Sequence, residues 1–283
     1  MPRAGLSMFR GEMPLDDAAV TRTADSRRND QRIAIRQMML LEHARIEARG
    51  GIRGLALLRS DDGHQLAVAD PDGVSVYGLA QAQRPARLGR WRLPGTEGVL
   101  GWRDGWIAWG RYGLAGPLGV PVDRGHEGGV RALVAVQGTL LALTAEGVYR
   151  VDRNLRFEEL VLAAPAQQHM AVGRTTLALA EGASVTFYRR QGLCVGEVIG
   201  TVPLAACASL TCEGTGDRYS LRGGDGARTV LDPDGKVTRK APPASRDAAG
   251  EIVARWRGHL AVAASGGSAI TLYRTGPART LRR

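Results

Sequence analysis

Residues 65–79 read QLAVADPDGVSVYGL, and residues 259–273 read HLAVAASGGSAITLY. A chain that writes one strand–turn–strand phrase near both ends is built from repeating units, and self-similarity of this kind limits the possible folds more than any single motif does. The phrase returns between these copies in VRALVAVQGTLLALTAEGVYRVD from Val130 and HMAVGRTTLALAEGASVTFYRR from His169. Looser copies begin at Val99 and Ala206, and the two end copies extend back to Ile52 and Ile252, so units start at intervals of about forty residues.

Each unit carries strand signals. Apolar residues alternate, as in Val185 and Phe187, and the breaks are DG, QG, EG, GG and RG pairs suited to hairpin turns. A fourth strand follows most third ones, in ARLGRWRL, RFEELVL, VGEVIGTV and KVTRKA. A lone four-stranded sheet cannot bury both faces, so neighbours must stack on one another around an axis. The pattern resembles the β-propeller superfamily, in the range of WD40-like and PQQ-like repeats, over residues 52–283. That resemblance implies an all-β fold: a single propeller of six blades, or seven if N-terminal residues add strands. A β-sandwich followed by a second small β domain is the architectural alternative. A closed ring needs its last blade sealed, and either the tail ARTLRR (278–283) or AAVTRT (18–23) is expected at that edge.

The segment NDQRIAIRQMMLLEHARIEAR (29–49) breaks the repeat. It has no glycine or proline, Asn29 or Asp30 can cap its start, and Gly50–Gly51 follow it, so an amphipathic helix is expected over 29–51 after a polar tail at 1–28. At helical spacing Ile33, Leu40, Leu41, Ala44 and Ala48 form one apolar face, and Ile35, Met39 and Ile46 a second. Two apolar stripes predict two buried surfaces, the broad one docked on the repeats and the narrow one on another protein chain.

Composition narrows the function classes. The formal net charge is +10, but only Lys236 and Lys240 are lysines and the arginines are spread along the chain, so nucleic-acid binding ranks below protein binding. No apolar run reaches the roughly 18 residues of a membrane helix, and the N-terminus lacks a secretory apolar core, which gives a cytoplasmic expectation. Cys194, Cys207 and Cys212 lack zinc spacing, and the five histidines form no helical pairs. The DPDG stretches at 70–73 and 232–235 lack the later acidic residues of a calcium loop and read as turns. No nucleophile–base pair or phosphate loop emerges from spacing, so no catalytic, metal or cofactor residue is assigned.

Trp102, Trp106, Trp109 and Tyr112 flank the glycine-rich GRYGLAGPLG (110–119). Aromatic residues beside flexible backbone suit recognition, although tryptophans also pack neighbouring units together. Ile35, Met39, Ile46, Trp106, Trp109 and Tyr112 are therefore the expected partner-binding residues. The resulting expectation is a non-catalytic propeller scaffold in a bacterial multi-component assembly. A propeller hydrolase or lyase with a site in the central channel, or an arginine-driven nucleic-acid binder, is the alternative.

Overall fold

Both copies of the opening phrase fold as the same hairpin. Leu66 lies opposite Tyr77 and Ala69 opposite Val74 in one, and Leu260 lies opposite Tyr273 and Ala263 opposite Ile270 in the other. The computed structural model describes residues 39–48, 51–60, 63–79, 85–103, 105–119, 121–123, 128–204, 207–213, 216–223, 227–241, 251–256 and 259–276. Six four-stranded antiparallel sheets account for the strands among them.

The chain enters through β1 (Met39–Glu47), which belongs to the last sheet. The first sheet is β2 (Gly54–Ser60), β3 (Gly63–Asp70), β4 (Gly73–Gly78) and β5 (Ala86–Arg92). The second is β6 (Thr96–Trp102), β7 (Gly105–Gly110), β8 (Gly113–Ala115) and β9 (Pro121–Asp123). The third is β10 (Ala132–Val136), β11 (Thr139–Leu143), β12 (Gly147–Val151) and β13 (Phe157–Ala163). The fourth is β14 (His169–Val172), β15 (Thr176–Glu181), β16 (Ser184–Gln191) and β17 (Cys194–Pro203). The fifth is β18 (Ser209–Glu213), β19 (Arg218–Arg222), β20 (Arg228–Leu231) and β21 (Val237–Ala241). The sixth joins β22 (Glu251–Trp256), β23 (His259–Ala264) and β24 (Ala269–Gly276) to β1.

The sheets stack through their apolar faces, and their first strands lie innermost, β2 against β6 and β22, β10 against β6 and β14, and β14 against β18. One apolar cluster fills each of five junctions between neighbouring sheets. Between the first and second sheets, Val74, Val76 and Ala69 meet Val99, Trp106 and Ala108. Between the fourth and fifth, Phe187 meets Tyr219 with ring centroids 5.3 Å apart. Each fully buried aliphatic or aromatic side chain contributes about 1.5–3 kcal/mol, which explains why alternation persists where the repeat motif itself has decayed.

The outermost strand of every sheet skips at least one partner. Pairing passes over His43, Leu88, Val122, Val161, Ile199 and Thr238 in turn. Such a bulge bends and twists a strand, which protects an open edge from pairing with another chain. The turn reading of DPDG holds at both copies: Asp70 accepts a hydrogen bond from the Asp72 amide at 2.9 Å, and Asp232 accepts one from the Lys236 amide at 2.8 Å.

The helix expected at 29–51 is corrected over its second half, because 39–47 is a strand and no helix occurs among the described residues. Residues 29–38, with Ile35, lie outside them. Ala44, Ile46 and Ala48 alternate into the cluster between the sixth and first sheets, while Arg45 and Glu47 are exposed. Period two therefore governs these residues, and the local helix propensity yields to the free edge of β24. The same strand corrects the expected seal, since β1 takes the edge beside β24; residues 18–23 and 278–283 lie outside the described residues. No helix among the described residues is long and apolar enough to cross a membrane.

Candidate interaction surface

The aromatic segment of the second sheet is one of the two expected partner-binding regions, and most of it is foundation. Trp106 is only 3% exposed and meets Trp91 of β5 edge to face, with centroids 5.2 Å apart. Trp109 packs on the other side of the sheet, against the cluster shared with the third sheet. Its ring lies over Gly98, where an added Cβ would come within 2.2 Å of Cζ2. The Tyr112 hydroxyl lies 3.1 Å from Thr96 Oγ1, and Thr96 donates to the Leu93 carbonyl at 2.6 Å. Burial pushes the Tyr112 phenol up to about 12; the Thr96 hydrogen bond opposes that shift and the nearby Glu97 charge adds to it.

What this foundation presents is the turn Gly116–Gly119. The Gly119 amide donates to the Gly116 carbonyl at 2.8 Å. Gly119 has φ +69°, and a Cβ there would lie 2.2 Å from Trp91 Cδ1, so glycine is required on both counts. Pro117 rests against Gly105, and Leu118 stands 89% exposed at the tip. Sequence reasoning missed Leu118. The available signal was an apolar residue inside a Gly-Pro-x-Gly turn, where no neighbouring strand can cover it.

The other expected partner residues are placed differently. Ile46 is 5% exposed between the sixth and first sheets, and Met39 heads β1 opposite Gly276. Ile35 lies outside the described residues.

Polar groups gather where the first strands begin, at one mouth of the central axis. Arg53 reaches Glu97 of the next sheet at 3.4 Å, and Arg131 donates to the Gln167 carbonyl at 2.7 Å. His169 Nε2 lies 3.2 Å from the Cys207 carbonyl. Nε2 donates in this contact, since a carbonyl only accepts, and burial lowers the His169 pKa against the opposing effect of that bond. These three contacts each run from one sheet to the next. At the opposite end, Asp217 accepts from the amides and hydroxyls of Thr175 and Thr176, and Tyr219 donates to the Thr176 carbonyl at 3.0 Å. Among the described residues, no group of three or more His, Cys, Asp or Glu side chains is placed to hold a metal.

Stacked four-stranded sheets with innermost first strands, sealed by a strand from the other end of the chain, define a β-propeller repeat protein. No family model and no curated protein matches the sequence. Solved structures do match. The Swd1 β-propeller domain of Myceliophteria thermophila aligns with a TM-score of 0.53 and 12% identity, covering 80% of this chain and 84% of that one. A gluconolactonase from Xanthomonas campestris aligns with a TM-score of 0.58 and 15% identity, covering 85% and 90%. Raptor of Chaetomium thermophilum aligns with a TM-score of 0.58 and 17% identity, covering 83% of this chain and 25% of that one. At these identities the likeness is one of fold.

Proposed function

We propose that this chain is a six-bladed, non-catalytic propeller scaffold that binds another protein chain within a multi-component assembly. The observation that carries this reading is a set of large apolar side chains held outward on the rims of the sheets: Leu88 at 59% exposure, Leu118 at 89%, Leu160 at 44% and Val198 at 55%. Side chains fixed on rigid strands and turns lose little entropy when a partner covers them. The stacked sheets supply the rigidity, and the bulged outer strands keep the rims from pairing indiscriminately.

Affinity capture of the tagged full chain from its native cells tests the proposal. A partner present in near-equal amount, surviving washes at high salt, is expected. A chain that elutes alone at its monomer mass under every condition sinks it. The gluconolactonase likeness motivates one parallel assay, lactone hydrolysis, in which turnover above background would replace the scaffold reading with an enzymatic one. Binding to DNA or RNA that falls steeply with salt would point instead to the arginines.

A further inference from the structure

Strand β17 is the longest of the outermost strands, with ten residues, and among the described residues no strand pairs with its outer side. An open edge of this kind invites pairing with another chain unless charge, proline or shortness blunts it. The other outermost strands carry such protection. β1 holds Glu42, Arg45 and Glu47, β5 holds Arg87, Arg90 and Arg92, β13 holds Glu158 and Glu159, and β21 holds Arg239 and Lys240. β9 has three residues and starts with proline. β17 instead reads CVGEVIGTVP, and its one charged side chain, Glu197, is paired with Arg189 at 3.1 Å. Val198, at the middle of the strand, is 55% exposed.

The strand is close to self-complementary about Val198. Antiparallel pairing with its own copy around that residue sets Val195 opposite Thr201, Gly196 opposite Gly200 and Cys194 opposite Val202; Glu197 against Ile199 is the exception. Val195, Val198 and Thr201 pair with Arg190, Tyr188 and Thr186, alternate residues of β16, so they share one face of the sheet. Two copies would align β-branched pairs on that face, Val198 with itself and Val195 with Thr201 on either side. Neither Gly196 nor Gly200 has a positive φ, and an added Cβ would find its nearest neighbour at 3.7 Å and 3.4 Å. The fold of one chain therefore has room for a side chain at both, whereas the close approach of a second backbone favours glycine. The bulges at Gly196–Glu197 and Ile199 flank Val198 and restrict the edge to a partner with the same offsets, which a two-fold copy supplies. We infer that two copies of this chain associate through β17, antiparallel about a two-fold axis at Val198, joining their fourth sheets into one. The inference goes beyond the scaffold reading and does not depend on it.

Sedimentation velocity of the full chain over a concentration series, joined to cysteine cross-linking, tests this. Wild type is expected to sediment as a dimer that dissociates on dilution. Val198→Lys sets two like charges opposite each other and should weaken the dimer at least about tenfold. Its melting temperature should not change, because the Val198 side chain is more than half exposed. Opposed residues of an antiparallel pair lie about 4.5–5.5 Å apart at Cα, within disulfide reach. In a Cys194→Ser background, Val198→Cys is therefore expected to give a covalent dimer on mild oxidation. Thr201→Cys, about 20 Å from its own copy in this register, should give none. A wild-type chain that sediments as a monomer at every concentration, a dimer indifferent to Val198→Lys, or a cross-link at Thr201→Cys but not at Val198→Cys would overturn the inference. A monomeric chain that captures a partner from cells would overturn it while leaving the scaffold reading standing, whereas a dimer through Val198 that captures no partner would do the converse.

Discussion

Ile46 stands opposite Ile270 in the antiparallel pair that joins the first described strand to the last. Both are buried in the cluster between the sixth and first sheets. The pair therefore connects distant parts of the chain, and it stabilises the sixth sheet and its junction with the first together. Ile46→Ala is expected to cost about 2–5 kcal/mol, as for a large aliphatic residue in a packed core. Ile46→Asp should cost more, because it buries an unpaired carboxylate. Urea titration followed by tryptophan fluorescence checks this, and an unchanged midpoint for Ile46→Ala would remove β1 from the core.

The repeat was legible because its defining residues are apolar and alternate: Leu66, Val74 and Val76 in one hairpin have Leu260, Ile270 and Leu272 in the other. Strand β1 was misread because Met39, Leu40, Leu41 and Ala44 are strong helix formers, and two apolar stripes emerge from them at either period. The alternation Ala44, Ile46, Ala48 was present, but only the free edge of β24, over two hundred residues away in the sequence, selects it. The tryptophans show the same limit. Spacing places Trp106 and Trp109 on a strand without saying that sheets cover both of its faces. Leu118 was invisible for the converse reason, since exposure is a property of the assembled neighbours.

Acid should loosen the structure in two stages. Burial lowers the His169 pKa, so the unfolded chain takes up that proton first, below about pH 6.5, and stability falls from there down to the folded value. Burial alone would raise the Asp217 carboxyl, but the hydrogen bonds from Thr175 and Thr176 outweigh it and hold the pKa below its ordinary value. Its contribution is complete above about pH 4 and is lost as pH falls through the folded value. His169→Gln should flatten the upper stage of a melting temperature–pH curve and Asp217→Asn the lower one. A curve whose shape neither variant alters would show that other groups control the acid response.

The three thiols should separate by reactivity. Cys194 is exposed, whereas burial pushes the Cys207 thiol up to about 11. Burial also raises Cys212, helped by the charges of Asp217 and Glu213. Because the thiolate is the reactive form, Ellman's reagent at pH 8 should modify one thiol quickly and two slowly. Cys194→Ser is expected to remove the fast phase alone; a fast phase that survives would place Cys207 or Cys212 within reach of solvent.

Gly98 and Trp109 should behave as a coupled pair. They face each other across β6 and β7, and a Cβ on Gly98 would sit 2.2 Å from the indole Cζ2 and 2.6 Å from Cη2. The indole is rigid and backed by the cluster shared with the third sheet, so it has little room to retreat. Gly98→Ala is therefore expected to destabilise by about 1–3 kcal/mol through overpacking. Trp109→Ala removes the obstacle and leaves a cavity, at a cost of about 3–5 kcal/mol if the site does not collapse. In that background the added methyl meets open space, so Gly98→Ala should cost far less than it does alone. A double-mutant cycle by chemical denaturation reads the difference directly as a coupling energy. Strictly additive losses would mean that the indole is not seated on Gly98, and the brace beneath the 110–119 turn would have to be assigned elsewhere.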